Sequence, residues 1–339
     1  MNEPRPFNLG TIKGLAEFAL ATKVIMGIGD CPHDIEDFSN TIYRSQRSYF
    51  DKLARMNHEA RKEELLQLHT VLRWLDHGMP VFELTHSLMA ALLLTDPSDV
   101  DAADVKMPFP TFAVRLPNDF WHLVGHTGER VPAVHALVHE HICVTTANMM
   151  MPTLMLSFRV VGKDGLTNAW ENRLPIPDAD KIGAWIADDV PEILIEEREE
   201  RVTIGPLASD DKHIMVAFRR LLVNLSLYVA AHGRGEPLSR RKLHTDGKIN
   251  RASARTAPQI WVIGREIKLD RGLLESAKAW SLSRDGVNTS GWRIQSRFTV
   301  RGHWRNQAHG PERSLRRLTW IQPYWKGQGP NFAHTYTSD

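Results

Sequence analysis

The segment Val300-Arg-Gly-His-Trp-Arg-Asn-Gln-Ala-His-Gly-Pro-Glu-Arg-Ser-Leu-Arg-Arg-Leu-Thr-Trp-Ile-Gln-Pro-Tyr-Trp-Lys-Gly327 places six Arg/Lys, three Trp and one Tyr in a single short run near the end of the chain. On a strand, side chains alternate between two faces. From Arg293 to Arg305 the alternation puts Ile294, Ser296, Phe298, Val300, Gly302 and Trp304 on one face. Arg293, Arg297, Arg301, His303 and Arg305 fall on the other. The turn-forming residues Gln307–Ser314 follow, and Leu315–Trp325 returns as a partner strand carrying Arg316, Arg317, Trp320 and Trp325. Like charges two residues apart repel unless water, carboxylates or phosphates neutralise them. Two readings therefore stand open. Either the ribbon meets a polyanion, or its arginines pair with acidic side chains elsewhere in the chain.

The charge distribution bears on that choice. Residues 1–233 hold 22 Lys/Arg against 32 Asp/Glu, a net −10, and residues 234–339 hold 20 against 8, a net +12; the formal charge of +2 conceals this asymmetry. A basic module behind an acidic body suits contact with nucleic acid. With 42% apolar residues in 339, the chain has material for a substantial core. Two cysteines, Cys31 and Cys143, cannot form a disulfide framework and suit a reducing compartment. The N-terminus lacks a basic-then-apolar leader, and the most apolar stretch, near Leu221–Ala231, is short and interrupted by Asn224. A cytoplasmic protein that engages no membrane is expected.

Periodicity predicts the organisation. The first hundred residues read as helical: Leu15, Phe18, Ala19 and Thr22 share a face, and an amphipathic helix runs through Leu65, Leu68, Val71, Leu72 and Leu75 to His77-Gly78. A second apolar helix is expected over Val81–Leu94, ending at Asp96-Pro97. Short alternating runs then predict an antiparallel sheet over 105–175. The acidic stretch around Glu192–Val202 reads as an edge or a helix. Asp210 and Asp211 open a packing helix whose stripe is Ile214, Ala217, Phe218, Leu221, Leu222, Leu225, Tyr228 and Val229, capped by Gly233. Residues 234–256 read as a basic linker, 257–327 as a small basic β-rich module with a strand at Gln259–Leu269 and a short helix over Arg271–Leu282 that starts at Asp270, and 328–339 as a loose tail. The fold class expected is α+β. It comprises an acidic body over 1–233 (helical 1–100, sheet 105–175, helix 210–233) followed by the basic module.

The block Phe298–Gly327 resembles the C-terminal signature of a phage and mobile-element family that includes a type V-A anti-CRISPR protein. The resemblance rests on Arg301-Gly302-His303-Trp304, then Gly310, Arg316-Arg317, Trp320 and Pro323. Weaker echoes are the run Phe109–Trp121, with its Leu116-Pro117, and the helix-plus-polar stretch Phe218–Arg240. The first hundred residues show no counterpart. The resemblance implies a counter-defence protein that recognises the nascent N-terminal polypeptide of a target such as a type V-A CRISPR effector and lowers its mRNA and protein; a non-enzymatic protein is the reading preferred over an enzymatic one. One part would contact the peptide and the basic part RNA or the ribosome. The nucleic-acid contacts expected are Arg293, Arg297, Arg301, His303, Arg305, Arg316 and Arg317, with Trp304, Trp320 and Trp325 divided between core and base stacking. A peptide groove is expected on the 108–160 sheet, by strand addition.

Catalytic and metal motifs are sparse. His135, His139 and His141 would share a strand face, with His122 and His126 candidates to lie near, yet no HExxH occurs and Glu140 points away, so no metal and no cofactor are expected. Cys31 and His33 are too close in sequence to form a catalytic pair, and no P-loop, GxGxxG or GxSxG is present. The enzymatic alternative is a small metal-independent ribonuclease using His303 with Arg301 and Arg305; another is a DNA-binding phage regulator acting through the same module.

Overall fold

Thr11 starts the first helix by accepting a hydrogen bond from Gly14 N, and Gly27, at φ 60°, ends it. The computed structural model describes residues 8–32, 35–45, 58–117, 120–124, 130–144, 152–162, 167–174, 182, 195–197, 200–202, 209–234, 257–282 and 298–326. The fold is α+β, with helices prominent in the N-terminal part, antiparallel strands in the sheets and a β-rich C-terminal part. The chain divides into two compact units whose segments alternate along the sequence. One comprises residues 1–84, 107–177 and 234–263, and the other 85–106, 178–233 and 264–339.

In the first unit, α1 (Ile12–Met26), α2 (Ile35–Ser45) and α3 (His58–Asp76) precede strand β1 (Pro80–Leu84). The α3–β1 corner is built on positive φ at Gly78 (82°) and Met79 (53°), with Met79 N bonded to Trp74 O. A side chain at 78 would also run into the Gln259 amide, so glycine is required there twice over. The expected helix over Val81–Leu94 is corrected here. Its first four residues are strand, and the helix proper begins only after Thr85, whose hydroxyl accepts from Leu88 N at 3.2 Å. A short apolar run is compatible with either element, and the capping threonine inside it was the missed signal.

β1 lies between two parallel neighbours, β3 (Thr111–Arg115) and β10 (Gln259–Ile263). From β3 the sheet continues antiparallel through β5 (Arg130–Val144), β6 (Pro152–Gly162) and β7 (Thr167–Leu174), with β4 (His122–Val124) also on β5. The strand order is β10-β1-β3-β5-β6-β7. The antiparallel expectation for 105–175 therefore holds, and the tertiary structure adds two parallel partners. Val81, Ala113 and Leu137 stand in register across β1, β3 and β5 and pack under Leu15, Ala16, Ala19, Val71 and Trp74 of α1 and α3. Full burial of each large side chain contributes about 1.5–3 kcal/mol.

In the second unit, α4 (His86–Leu93), α5 (Ser209–His232) and α6 (Arg271–Leu282) pack on one another. α5 ends at Gly233, φ 74°, as its cap residue predicts. From Ala217 to Val229 every residue of α5 except the partly buried Arg220 is buried, so burial is not confined to its apolar stripe. Within the acidic stretch near 192–202, β8 (Ile195–Glu197) pairs antiparallel with β9 (Glu200–Val202). The remaining strands are β2 (Thr95–Asp96), β11 (Phe298–Val300), β12 (Gly302–His309), β13 (Leu315–Ile321) and β14 (Tyr324–Lys326). No described helix is long and apolar enough to cross a membrane.

Candidate nucleic-acid interface

The basic segment is not one continuous ribbon. β11 pairs with β14, and β12 pairs with β13 and, in parallel, with β2. The expected single strand through Arg305 is thus corrected to two strands that part at Arg301. Gly302 makes the break possible: a Cβ there would stand 2.5 Å from Thr95 Oγ1 and 3.0 Å from both Ile321 O and Pro323 Cδ. Gly302 N donates to Leu94 O instead, and Pro323, which has no N–H to offer a ladder, separates β13 from β14.

The alternation decides which side chains are available. Trp304 stands opposite Trp320, and the two rings lie nearly parallel, 6.1 Å apart and 21° inclined. Both are buried, at 6% and 8% exposure. Each indole N–H has a buried partner: Trp304 donates to Asn224 Oδ1 at 2.7 Å, and Trp320 to Thr95 Oγ1 at 2.9 Å. Asn224 in turn donates to Leu92 O and Thr95 O, and the Thr95 hydroxyl donates to Ala91 O. One asparagine and one threonine thereby satisfy the end of α4 and both tryptophans, a complete polar network inside an apolar unit. Trp320 also meets Tyr228 edge-on at 5.5 Å, and Tyr228 stacks on His232 and donates its hydroxyl to Glu266. Burial first, and then that bond, push the Tyr228 phenol above its ordinary pKa. The same bond holds the Glu266 carboxyl below its own.

The opposite face of the β12–β13 hairpin is cationic. His303, Arg305 and Gln307 project there from β12, and Arg317 and Thr319 from β13; Gln307 stands opposite Arg317, and Arg305 opposite Thr319. Arg301, His303, Arg305, Arg313, Arg316 and Arg317 are exposed. Arg305 donates to the Gln307 side-chain oxygen, and among the described residues no carboxylate forms an ion pair with any of these arginines. Arg316 falls on the parity of Trp304 but lies where the hairpin has run past the core, opposite Ala308. Burial opposes ionisation of Asp96. Two hydrogen bonds from Ser98, together with Arg220 and Arg301, outweigh it and hold that carboxyl below its usual value. Arg293 and Arg297 lie outside the described residues.

Trp325 is half-buried and anchored. Its N–H donates to Asp270 Oδ2 at 2.6 Å while Asp270 Oδ1 accepts from Leu273 N as the cap of α6. The predicted Asp270 start of that helix is present, and its second role is visible only in three dimensions. The neighbouring Tyr324 is exposed.

Among the described residues the histidine candidates do not assemble. His135 and His139 are buried; His139 Nδ1 bonds Thr111 Oγ1 at 2.9 Å, and its ring meets His69 edge-on at 5.0 Å. His122 stands on β4 opposite Pro132, and neither His126 nor the side chain of His141 is among what is described. Among the described residues no group of three or more His, Cys, Asp or Glu is placed to hold a metal ion. Burial, and secondly Arg115, lower the His135 pKa to about 4. Burial, with Asp76 second, raises the Cys31 thiol to about 12, which makes it a poor nucleophile.

Sequence reasoning missed Asn224, Thr95 and Asp270 as organisers of this surface. The signal for the first was the lone amide in an otherwise apolar helix.

No curated protein matches the chain. The crystal structure of AcrVA2 aligns over 92% of this chain and 93% of that one, at 13% identity and a TM-score of 0.44. Residues 82–328 match the family described as AcrVA2-like, anti-CRISPR type V subtype A2. That stretch takes in the last three residues of β1, the described strands and helices after it, and the whole basic hairpin, and it leaves α1, α2 and α3 outside. Because the match spans well over half of its 339 residues, the chain belongs to the AcrVA2-like anti-CRISPR type V subtype A2 family.

Proposed function

We propose that this anti-CRISPR-family protein lowers the level of a target protein by recognising its nascent N-terminal polypeptide, while the basic hairpin contacts RNA or the ribosome. The target class that family membership supports is a type V-A CRISPR effector. The observation that carries the RNA half is the row of exposed cations, Arg301, His303, Arg305, Arg316 and Arg317: among the described residues none forms an ion pair with a carboxylate, and only Arg301 acts, at longer range, on one, Asp96. Such a row is neutralised well by a phosphate backbone. Trp304 and Trp320 serve as the scaffold under it. For the peptide half, β3, β5 and β6 each have neighbours on both sides, so strand addition belongs at the end strands β7 or β10.

The test is effector mRNA and protein in cells co-expressing this chain with a type V-A effector carrying either its native or a scrambled N-terminal peptide. Loss of mRNA with the native peptide only, abolished by Arg305→Ala with Arg317→Ala, is the expected result. Equal effector levels with and without this chain would refute the proposal.

A further inference from the structure

The strand register redistributes the aromatic residues of the basic segment. A base can stack only on a ring with a free face. Trp304 and Trp320 have none: they are buried, they face each other, and both N–H groups are committed inside the unit. Trp325 is held by Asp270, and its ring lies 3.1 Å from where a Cβ on Gly272 would be, so it is turned toward the start of α6. Adjacent strand residues point to opposite faces. Anchoring Trp325 therefore turns Tyr324 and Lys326 the other way, and Tyr324 is 46% exposed with Lys326 exposed beside it. These two side chains leave the strand on the same face, about 7 Å apart. Val300 stands opposite Tyr324 on β11, and the next residue, Arg301, is exposed where the two hairpins meet. The ring is also held on a stiff frame: buried Pro323 precedes it, and its strand is closed by β11.

We infer that Tyr324 is the base-stacking residue of this surface and that its ligand is single-stranded RNA, the phosphates on either side of the stacked base meeting Lys326 and Arg301. A duplex keeps its base faces stacked on one another and cannot use such a ring, whereas an unpaired base can. The inference rests on the polyanion reading of the same ribbon.

Binding of the full chain to a 12-nucleotide oligoadenylate RNA is compared with binding to an abasic ribose-phosphate strand of the same length and to a 12-base-pair RNA duplex, across a salt series. Wild type is expected to bind oligoadenylate about 10-fold tighter than the abasic strand. Tyr324→Ala removes that difference, Tyr324→Phe retains it, and neither changes the salt slope, because no phosphate contact is lost. If wild type binds the abasic strand or the duplex as tightly as oligoadenylate, or if Tyr324→Ala still discriminates, the stacking inference is overturned while salt-sensitive binding leaves the ribbon reading standing. Absence of binding to all three probes overturns both.

Discussion

Replacing Asn224 with alanine should destabilise the second unit more than any surface change. Asn224 is fully buried and its side chain makes three hydrogen bonds: it accepts from Trp304 Nε1 and donates to Leu92 O and Thr95 O, at 2.7, 2.8 and 3.1 Å. Alanine leaves one N–H and two carbonyls without those partners. Each orphaned buried group costs about 1–3 kcal/mol, which sets the loss near ~4 kcal/mol after partial relaxation. For a chain of this size that corresponds to a fall in melting temperature of about 6 °C. The assay is urea and thermal unfolding followed by circular dichroism for Asn224→Ala, Trp304→Phe and the double variant. Because Trp304→Phe removes the donor that Asn224 satisfies, the double variant should be less destabilised than the sum of the singles, by about 1–2 kcal/mol. A loss below about 1 kcal/mol for Asn224→Ala, or strict additivity in the cycle, would refute the claim that a buried hydrogen-bond network ties α5 to β12.

His135 gives a pH dependence of definite sign. Its folded pKa of about 4 lies below the ordinary 6.5, because burial and Arg115 disfavour the imidazolium. Between those values the unfolded chain binds the extra proton, so stability contributed by neutral His135 is full above about pH 7. It is lost as pH falls toward 4, by about 3 kcal/mol in all. His135→Gln should flatten that part of the stability profile in urea titrations at stepped pH, and an unchanged slope would count against the assignment. Cys31, with its thiol raised to about 12, should resist iodoacetamide at pH 8 in the folded protein and label readily in urea; in a Cys143→Ser background, mass spectrometry would detect any rapid native labelling that contradicts this.

Local chemistry was legible from the sequence. The alternation through Gly302–Arg305 placed Trp304 on the face opposite His303 and Arg305, since a period of two is a property of the strand itself, but left open which tryptophan is core. Asp270 and Gly233 marked helix ends for equally local reasons. The family resemblance also lay in a contiguous block. What the sequence could not supply was any relation between distant segments. Thr85 marks locally where the helix starts, but nothing local tells that Val81–Leu84 pairs as a strand, because the reason is its two parallel neighbours, β3 and β10, of which β10 lies well over a hundred residues away. Nothing local assigns Trp320 to the core and leaves Tyr324 exposed. That choice depends on Thr95, Asn224 and Asp270, which come from three separate parts of the chain and satisfy the three indole N–H groups. Residue type and spacing determined which side chains could meet a polyanion; long-range pairing decided which aromatic rings remained free, because a buried N–H must find its partner wherever the fold brings one.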